Sequence, residues 1–480
     1  MLDRHAPTGR APTLAASVVA AIRGRIDSRS LASGARLPSV RGLAETMKVS
    51  KSTVVEAYDR LIAEGAIVAR RGSGFYVAGP TRPLSLAALG PQLDRAIDPL
   101  WLMRQSLQSG PDVLKPGSGW LPDAWMPDLS LQRGLRALAR GPSAERIQYD
   151  TPLGFAPLRL QHARRFAERG VTVDPDQILL TESASQSLDL LCRYLLEPGD
   201  SVIVDDPCYF NFLALLRAHR VTAIGVPYTP DGPDVDAFAR LLAAHKPRFY
   251  LTIAGLHNPT GATLSPVVAH RVLKLAEKHD AIIIEDDIFA DFEIEPGPRY
   301  AGFDGFDRVI QVGSLSKTVS AAIRCGYIVA KPEWIDELVD LKLAINQGNG
   351  HMSAVLLHRL LTDGGHRRHL DGLRAKLSAA MGQTIRRLGV LGLTPWVEPR
   401  AGLFLWARLP DGLDGADVAR HGLKSDVVFA PGNVFSLSHA ARGYLRFNVA
   451  LSGHPRIFEV LEAAMGVAQR GGAEDSEEGR

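Results

Sequence analysis

At 480 residues the chain is too long for one ordinary core and points to two or three domains; 46% hydrophobic and 22% charged residues describe a globular protein. No run of about 20 apolar residues exists, which excludes a membrane-spanning helical protein. The net charge of +3 conceals an asymmetry: residues 1–80 hold 12 Lys+Arg against 6 Asp+Glu, whereas residues 81–480 hold 43 against 46, so a polyanion would bind the N-terminal part. The 3 cysteines are widely spaced, with no C-x-x-C pair and no histidine at metal-ligand spacing. This argues for a reducing setting without a metal site. Charges through the first apolar stretch fit no signal peptide, so the expected localisation is cytoplasmic.

The first elements form a compact helical series. "TLAASVVAAIRGRID" places Leu14, Val18, Ile22 and Ile26 on one helical face. "LPSVRGLAETM" offers Ser39 as the cap of a short second helix, and "SKSTVVEAYDRLIAEG" offers Ser50 as the cap of a third that Gly65 stops. A hairpin in "AIVARRGSGFYVA" completes a mainly α winged helix-turn-helix over residues 11–79. Lys51, Ser52 and Thr53 open the third helix, where a major-groove helix presents side chains to base edges. Arg41, Arg70 and Arg71 are placed to neutralise phosphates. The ordinary reading is a small helical unit with a solvated basic face; the coincidence of local charge with these positions favours double-stranded DNA. Through "ARLPSVRGLAETMKVSKSTVVEAYDRLIAEG" and "RRGSGFYVA" the stretch resembles the N-terminal domain of GntR-family regulators. That resemblance implies Arg41, Lys51, Ser52, Thr53, Arg71 and Gly72 as DNA-contact positions.

Six prolines between Gly79 and Pro116 read as linker over residues 80–116, with a helix able to fit in "LDRAIDPLWLMRQSLQS". After it, strand-length apolar runs ("QILLT", "SVIVDD", "RFYLTIA", "AIIIEDD", "RVIQVGS") alternate with amphipathic helices, predicting a large α/β domain over 117–470 with a mainly parallel sheet. The acidic tail, residues 471–480, reads as disordered.

Ligands of such sheets lie beyond the carboxyl ends of the strands, and there the sequence is rich in chemistry. "ESASQS" brings small hydroxylated residues to a helix start, suited to phosphate oxygens. Tyr209 supplies an aromatic face, Asn258 a side-chain donor at a turn, Asp286 a carboxylate, and "GSLSK" a pair of serines and Lys317. Alone, each has a commoner explanation: a surface lysine, a helix-capping aspartate, a turn asparagine. Together they are what pyridoxal 5'-phosphate requires. Lys317 would form the Schiff base, Asp286 keep the pyridine nitrogen protonated, Arg324 neutralise phosphate, Tyr209 stack on the ring, and Asn258 bond its phenolic oxygen.

From about Gly117 to Ala450 the residues resemble fold type I aminotransferases, through "HNPTG", "EDD", "GSLSK" with Arg324 following, "PGNVF" and "YLRFNVA". The resemblance implies Lys317 as the Schiff-base lysine, Ala184, Ser185, Ser314, Ser316 and Arg324 around the phosphate, and Arg446 as the clamp for a substrate or effector carboxylate. It also implies that Tyr149 reaches the neighbouring subunit's phosphate, hence a head-to-tail homodimer. A GntR-type head on such a body resembles the MocR subfamily. That implies a transcriptional regulator sensing pyridoxal phosphate or a small amino compound. The alternative is a working aminotransferase with an appended DNA-binding domain, and a third reading makes the large domain a dimerisation scaffold with a relict pocket.

Three departures bear on this choice. Ile288 and Phe289 stand where most relatives carry a tyrosine that donates to the cofactor's phenolic oxygen, Ser183 replaces a glycine, and Ala321 and Ala322 replace a proline. Loss of the tyrosine donor favours a sensor over a fast enzyme. Phe404 and Trp406, in the alternating "GLFLWARLP", read as core more readily than as pocket wall.

Overall fold

The computed structural model describes residues 13–27, 30–31, 34–70, 73–78, 99–438 and 440–478. The chain divides into two compact units, separated between Ser85 and Leu86.

In the first unit α1 (Leu14–Asp27), α2 (Val40–Met47) and α3 (Lys51–Ala63) precede a hairpin of β1 (Ile67–Arg70) and β2 (Gly74–Val77). Both expected caps are made: Ser39 Oγ accepts from Gly42 N at 3.1 Å and Ser50 Oγ from Thr53 N at 3.1 Å. Each satisfies an amide that the helix cannot, worth about 1 kcal/mol. Gly65 follows α3 at φ +71°, a backbone state open to glycine. Val18, Ile22, Leu43, Val54, Tyr58 and Leu61 form the core, and Tyr58 donates its hydroxyl to Pro38 O at 2.7 Å.

The second unit opens with α4 (Pro99–Gln108). Its main sheet has eight strands: β3 (Ile178–Thr181), β4 (Ser201–Asp206), β5 (Thr222–Thr229), β6 (Gly232–Pro233), β7 (Phe249–Thr252), β8 (Ile282–Asp286), β9 (Val309–Ser314) and β10 (Gly326–Val329). Their order is β3-β10-β9-β8-β7-β4-β5-β6. From β9 to β5 the strands run parallel, and consecutive residues go to opposite cores: Ile284 and Ile310 to one, Ile283 and Val309 to the other. Burial on both faces is why these runs are continuously apolar. β10 lies antiparallel between β3 and β9, so the sheet is mixed. Its four residues carry no periodicity that would reveal direction or partner.

A second, antiparallel sheet has the order β11-β12-β14-β13, from β11 (Thr394–Pro395), β12 (Phe404–Arg408), β13 (Ala430–Pro431) and β14 (Tyr444–Asn448). It carries Arg446 opposite both Trp406 and Ala430.

Two expectations about the ends of the large domain need correction. Of the stretch read as linker, residues 80–98 lie outside the described part, but Pro99–Gln108 is helix whose Leu102 is buried with Phe210, Trp406 and Phe435. Trp101 and Met103 of the same helix pack against this cluster too, so apolar contacts hold the helix to the body. At the other end the last helix runs Pro455–Glu478, so the tail expected to be disordered continues that helix through Glu478. Its alanine and glutamates are good helix formers and outweigh the two glycines.

Candidate functional site

At the first unit's surface, Lys51 and Ser52 are exposed and Thr53 half-buried at the start of α3. The Ser50 cap hydroxyl lies 2.8 Å from Ser52 Oγ and 2.7 Å from Thr53 Oγ1, so these hydroxyls are already part of the cap. Arg41 is exposed, with Glu45 at 3.3 Å, a pairing worth little in water. Arg71 and Gly72 lie outside the described residues. Arg70, in β1, stacks its guanidinium 4.6 Å from the Tyr76 ring centre.

In the second unit a cavity of about 1490 Å³ opens beyond the strand ends. Register explains its floor. Gly326 pairs with both Thr181 of β3 and Ser314 of β9, so the turns after those strands lie side by side. A Cβ on Gly326 would stand 2.5 Å from Ser183 C, so only glycine permits that approach. Ser183 Oγ caps the helix Ala184–Leu195, whose first residues, Ala184 and Ser185, line the cavity. Ser314 Oγ donates to Cys325 O at 2.9 Å and lies 2.7 Å from Ser316 Oγ. Arg324 stands exposed at φ +52°, a left-handed state costly for a side chain and frequent at functional sites. Tyr209, Asn258, Asp286, Lys317 and Arg446 line the same cavity.

The charged groups within it lack the partners that buried charges need. Asp286 is buried and, among the described residues, accepts only from Ile288 N, at 3.1 Å. Burial pushes its carboxyl up to about 7 against that hydrogen bond. Lys317 donates to Gly119 O at 2.7 Å. Burial, reinforced by Arg446 and opposed by Asp286, lowers its ammonium to about 8. Arg446 is buried and donates to Asn258 Oδ1 at 2.7 Å and Gly117 O at 2.6 Å; among the described residues it has no carboxylate partner and its Nε no acceptor. Burial lowers it to about 9. Asn258, expected to address a cofactor oxygen, thus uses its carbonyl for Arg446, while its amide nitrogen has no protein acceptor among the described residues. The Tyr209 phenol is pushed up to about 12 by burial and stays neutral.

Residues 112–463 match the model for aminotransferase class I and II, and residues 14–77 match that for bacterial regulatory proteins of the gntR family. The chain belongs to the MocR subfamily of GntR-type regulators. It is 30% identical over 451 residues to the HTH-type transcriptional regulator YjiR of Escherichia coli (strain K12), covering 89% of this chain and 93% of that protein. To the 2-aminoadipate transaminase of Thermus thermophilus it is 30% identical over 319 residues, 63% of this chain and 77% of that enzyme. Among solved structures it is similar to LysN, an α-aminoadipate aminotransferase of Thermus thermophilus complexed with N-(5'-phosphopyridoxyl)-L-leucine. There the TM-score is 0.70 at 25% identity, covering 77% of this chain and 95% of that one.

In this MocR-type chain the cavity fits a phosphorylated pyridine aldehyde. An amine with a lowered pKa, a buried carboxylate without a cation, and a turn of amides, hydroxyls and Arg324 are the complements of its aldehyde, ring nitrogen and phosphate. When bound, that group supplies an electron-withdrawing ring. The chain's own part would be to hold such a group and to keep Lys317 deprotonatable. Thr318, next to the lysine, donates Oγ1 to Asp291 Oδ2 at 3.1 Å, and its carbonyl lies 2.7 Å from His369 Nε2. Asp291 is itself clamped by Arg165 and Arg169. These residues were not apparent in the sequence, since nothing local distinguishes Asp291 from a turn aspartate.

Gly117, Ser118 and Gly119 were also missed. Their small run is the available signal: a Cβ on Gly117 would meet Ala430 N at 2.6 Å, and Ser118 Oγ is buried without a partner among the described residues. Phe404, expected in the core, is buried and also walls the cavity, 4.2 Å from the Arg446 guanidinium carbon; Trp406 stays in the core, stacked on Tyr444. Phe289 packs edge-on against Phe404, so hydrocarbon replaces the tyrosine donor. Tyr149 does not join the cavity within one chain; it is 84% exposed.

Proposed function

We propose that this chain is a DNA-binding transcriptional regulator whose aminotransferase-like domain binds pyridoxal 5'-phosphate through a Schiff base with Lys317 and reports it, or an amino compound, to the operator. The observation that carries the reading is the set of incompletely paired charges in one cavity: Lys317, Asp286 and Arg446. In this reading Asp286 faces the ring nitrogen, Tyr209 its plane, and Asn258 its phenolic oxygen. Ala184, Ser185, Ser314, Ser316 and Arg324 hold the phosphate, and Arg446 the carboxylate of an effector. Arg41, Lys51, Ser52, Thr53, Arg71 and Gly72 face DNA. In this reading the chain forms a homodimer in which the exposed Tyr149 addresses the partner's phosphate. The reading places the protein in the cytoplasm; no helix among the described residues is long and apolar enough to cross a membrane.

A second reading, a working aminotransferase with a DNA-binding head, is favoured by the complete set of Lys317, Asp286 and Arg446. It is disfavoured by Phe289, which offers no proton donor. Fluorescence anisotropy on the DNA upstream of the chain's own gene, with and without pyridoxal phosphate at fixed salt, separates them. A cofactor-dependent affinity that vanishes in Lys317→Ala supports the regulator. Indifference of DNA binding together with rapid multiple-turnover transamination supports the enzyme.

A further inference from the structure

We infer that Asp291 is a positioning residue for Lys317: it anchors Thr318, and through it the turn that presents the lysine amine to the cavity. The inference rests on the proposed role of Lys317 as the reactive amine and concerns what fixes that amine in place.

Lys317 stands on a turn and not on a regular element. β9 ends at Ser314, and in the turn that follows Thr318 N and Val319 N reach back to Leu315 O at 3.3 and 2.9 Å. The lysine is half-buried, so a turn free to move would swing its amine toward water. Its neighbours pin it on both sides. Before it, Ser316 N donates to Ser314 Oγ at 3.2 Å. After it, Thr318 is buried and fixed twice: Oγ1 donates to Asp291 Oδ2 at 3.1 Å, and its carbonyl lies 2.7 Å from His369 Nε2.

Asp291 can serve as an anchor because two helices fix it in turn. It sits in a short 3₁₀ turn, Ala290–Phe292, shortly past Asp286, so one buried carboxylate ties the loop after β8 to the turn after β9. Its Oδ1 takes Arg165, of the helix Ala156–Ala167, at 2.5 Å and Arg169, just past that helix, at 3.0 Å, while Oδ2 takes Thr318. Its carbonyl accepts from Arg374 Nε, in the helix Gly365–Val390, at 3.0 Å. Bonds of this charged kind are the strong ones, and a buried network of them is stiff. Burial would raise the Asp291 carboxyl, but Arg165 and Arg169, with His366 beyond them, hold it well below the ordinary carboxylate range. Burial also lowers His366, to about 4, and His369. The anchor therefore keeps one charge state from about pH 7 upward, where Lys317 titrates.

The charged groups that face the Lys317 amine are Arg446 of β14, Asp286 of β8 and Arg324, all in the same cavity wall. Burial and Arg446 favour the neutral amine only while the turn keeps it there. Without the bond from Thr318 to Asp291, the amine regains water and holds its proton more tightly.

The test is competitive acetylation of the full-length protein with acetic anhydride before cofactor is added, with Lys317 read by peptide mass spectrometry between about pH 6 and 10. The midpoint in the unsubstituted chain is expected at about 8. Thr318→Val, which keeps the shape of the side chain and drops the hydroxyl, is expected to move it upward toward the ordinary 10.5. At pH 7 labelling should fall about tenfold, and the visible absorption band with pyridoxal phosphate should form more slowly by the same factor. Thr318→Ala takes its place if the valine variant does not fold, and Thr318→Ser, which keeps the hydroxyl, should restore both readings. Thr252→Val controls for general loosening: it removes a hydroxyl of β7 that donates to another buried carboxylate, Asp205 Oδ2 at 2.7 Å, and should lower the melting temperature without moving the midpoint. An unmoved midpoint in Thr318→Val, or an equal shift in Thr252→Val, overturns the inference and leaves the cofactor reading standing. A chain that develops no absorption band while its midpoint answers to Thr318 supports the positioning role and overturns the cofactor reading instead.

Discussion

Arg446→Met is the most informative single change, because it should leave stability nearly unchanged while binding is lost. The guanidinium is buried, and its fall from 12.5 to about 9 corresponds, at about 1.4 kcal/mol per tenfold change in proton affinity, to roughly 5 kcal/mol of penalty for holding the charge there. Against this stand the two hydrogen bonds to Asn258 Oδ1 and Gly117 O, about 3–6 kcal/mol together, and the cation–π contact with Phe404, about 1–2 kcal/mol. Methionine fills much of the same volume among Phe210, Phe404 and Phe435 without charge. The two sides nearly cancel, and the variant should keep its stability to within about 2 kcal/mol, a change in Tm of no more than about 4 °C for a domain of this size. Affinity for an α-amino acid should fall roughly a hundredfold, while the corresponding amine without the carboxylate binds unchanged. Scanning calorimetry on loaded protein and titration with the amino acid and its amine measure both. A variant destabilised by more than about 2 kcal/mol with its amino-acid affinity intact would refute the reasoning, because Arg446 would then be a structural cation.

The remaining predictions concern the cofactor floor and the DNA face. Uptake of pyridoxal phosphate should quicken about tenfold per pH unit up to about 8 and level off above, since the neutral amine of Lys317 is the attacking form and burial lowers its pKa; stopped-flow absorbance across pH 6–9 reads the inflection. A rate still rising tenfold per pH unit at pH 9 contradicts the buried, Arg446-flanked setting, because an unshifted lysine titrates near 10.5. Gly326→Ala should cost about 1–3 kcal/mol in thermal stability and weaken cofactor binding, because its Cβ meets the backbone of Ser183 and Ala184; an unchanged melting curve would mean that the strand and the turn yield freely. Lys51→Ala should weaken operator binding and, where the side chain meets phosphate, reduce the slope of log affinity against log salt by about 1; an unaltered affinity and slope would remove Lys51 from the contact surface.

What could be read without the fold was local chemistry. Ser39, Ser50 and Gly65 mark helix ends because a cap is an interaction among neighbours in sequence. Asp286, Ser314 and Lys317 could be grouped because each ends an apolar run, and runs of that kind become adjacent parallel strands. The tertiary structure decided everything that depends on distant partners. Arg446 and Asn258 meet across 188 residues, and Lys317 and Gly119 across 198. Neither pairing has a periodicity to betray it. The helix Pro99–Gln108 belongs to the body because Leu102, with Trp101 and Met103, packs in the cluster of Phe210, Trp406 and Phe435, and composition alone could only weigh the prolines around it. Residue types therefore specify which groups are available, whereas burial decides which charges are left wanting a ligand. Burial is a property of the assembled core, and no local stretch of sequence contains it.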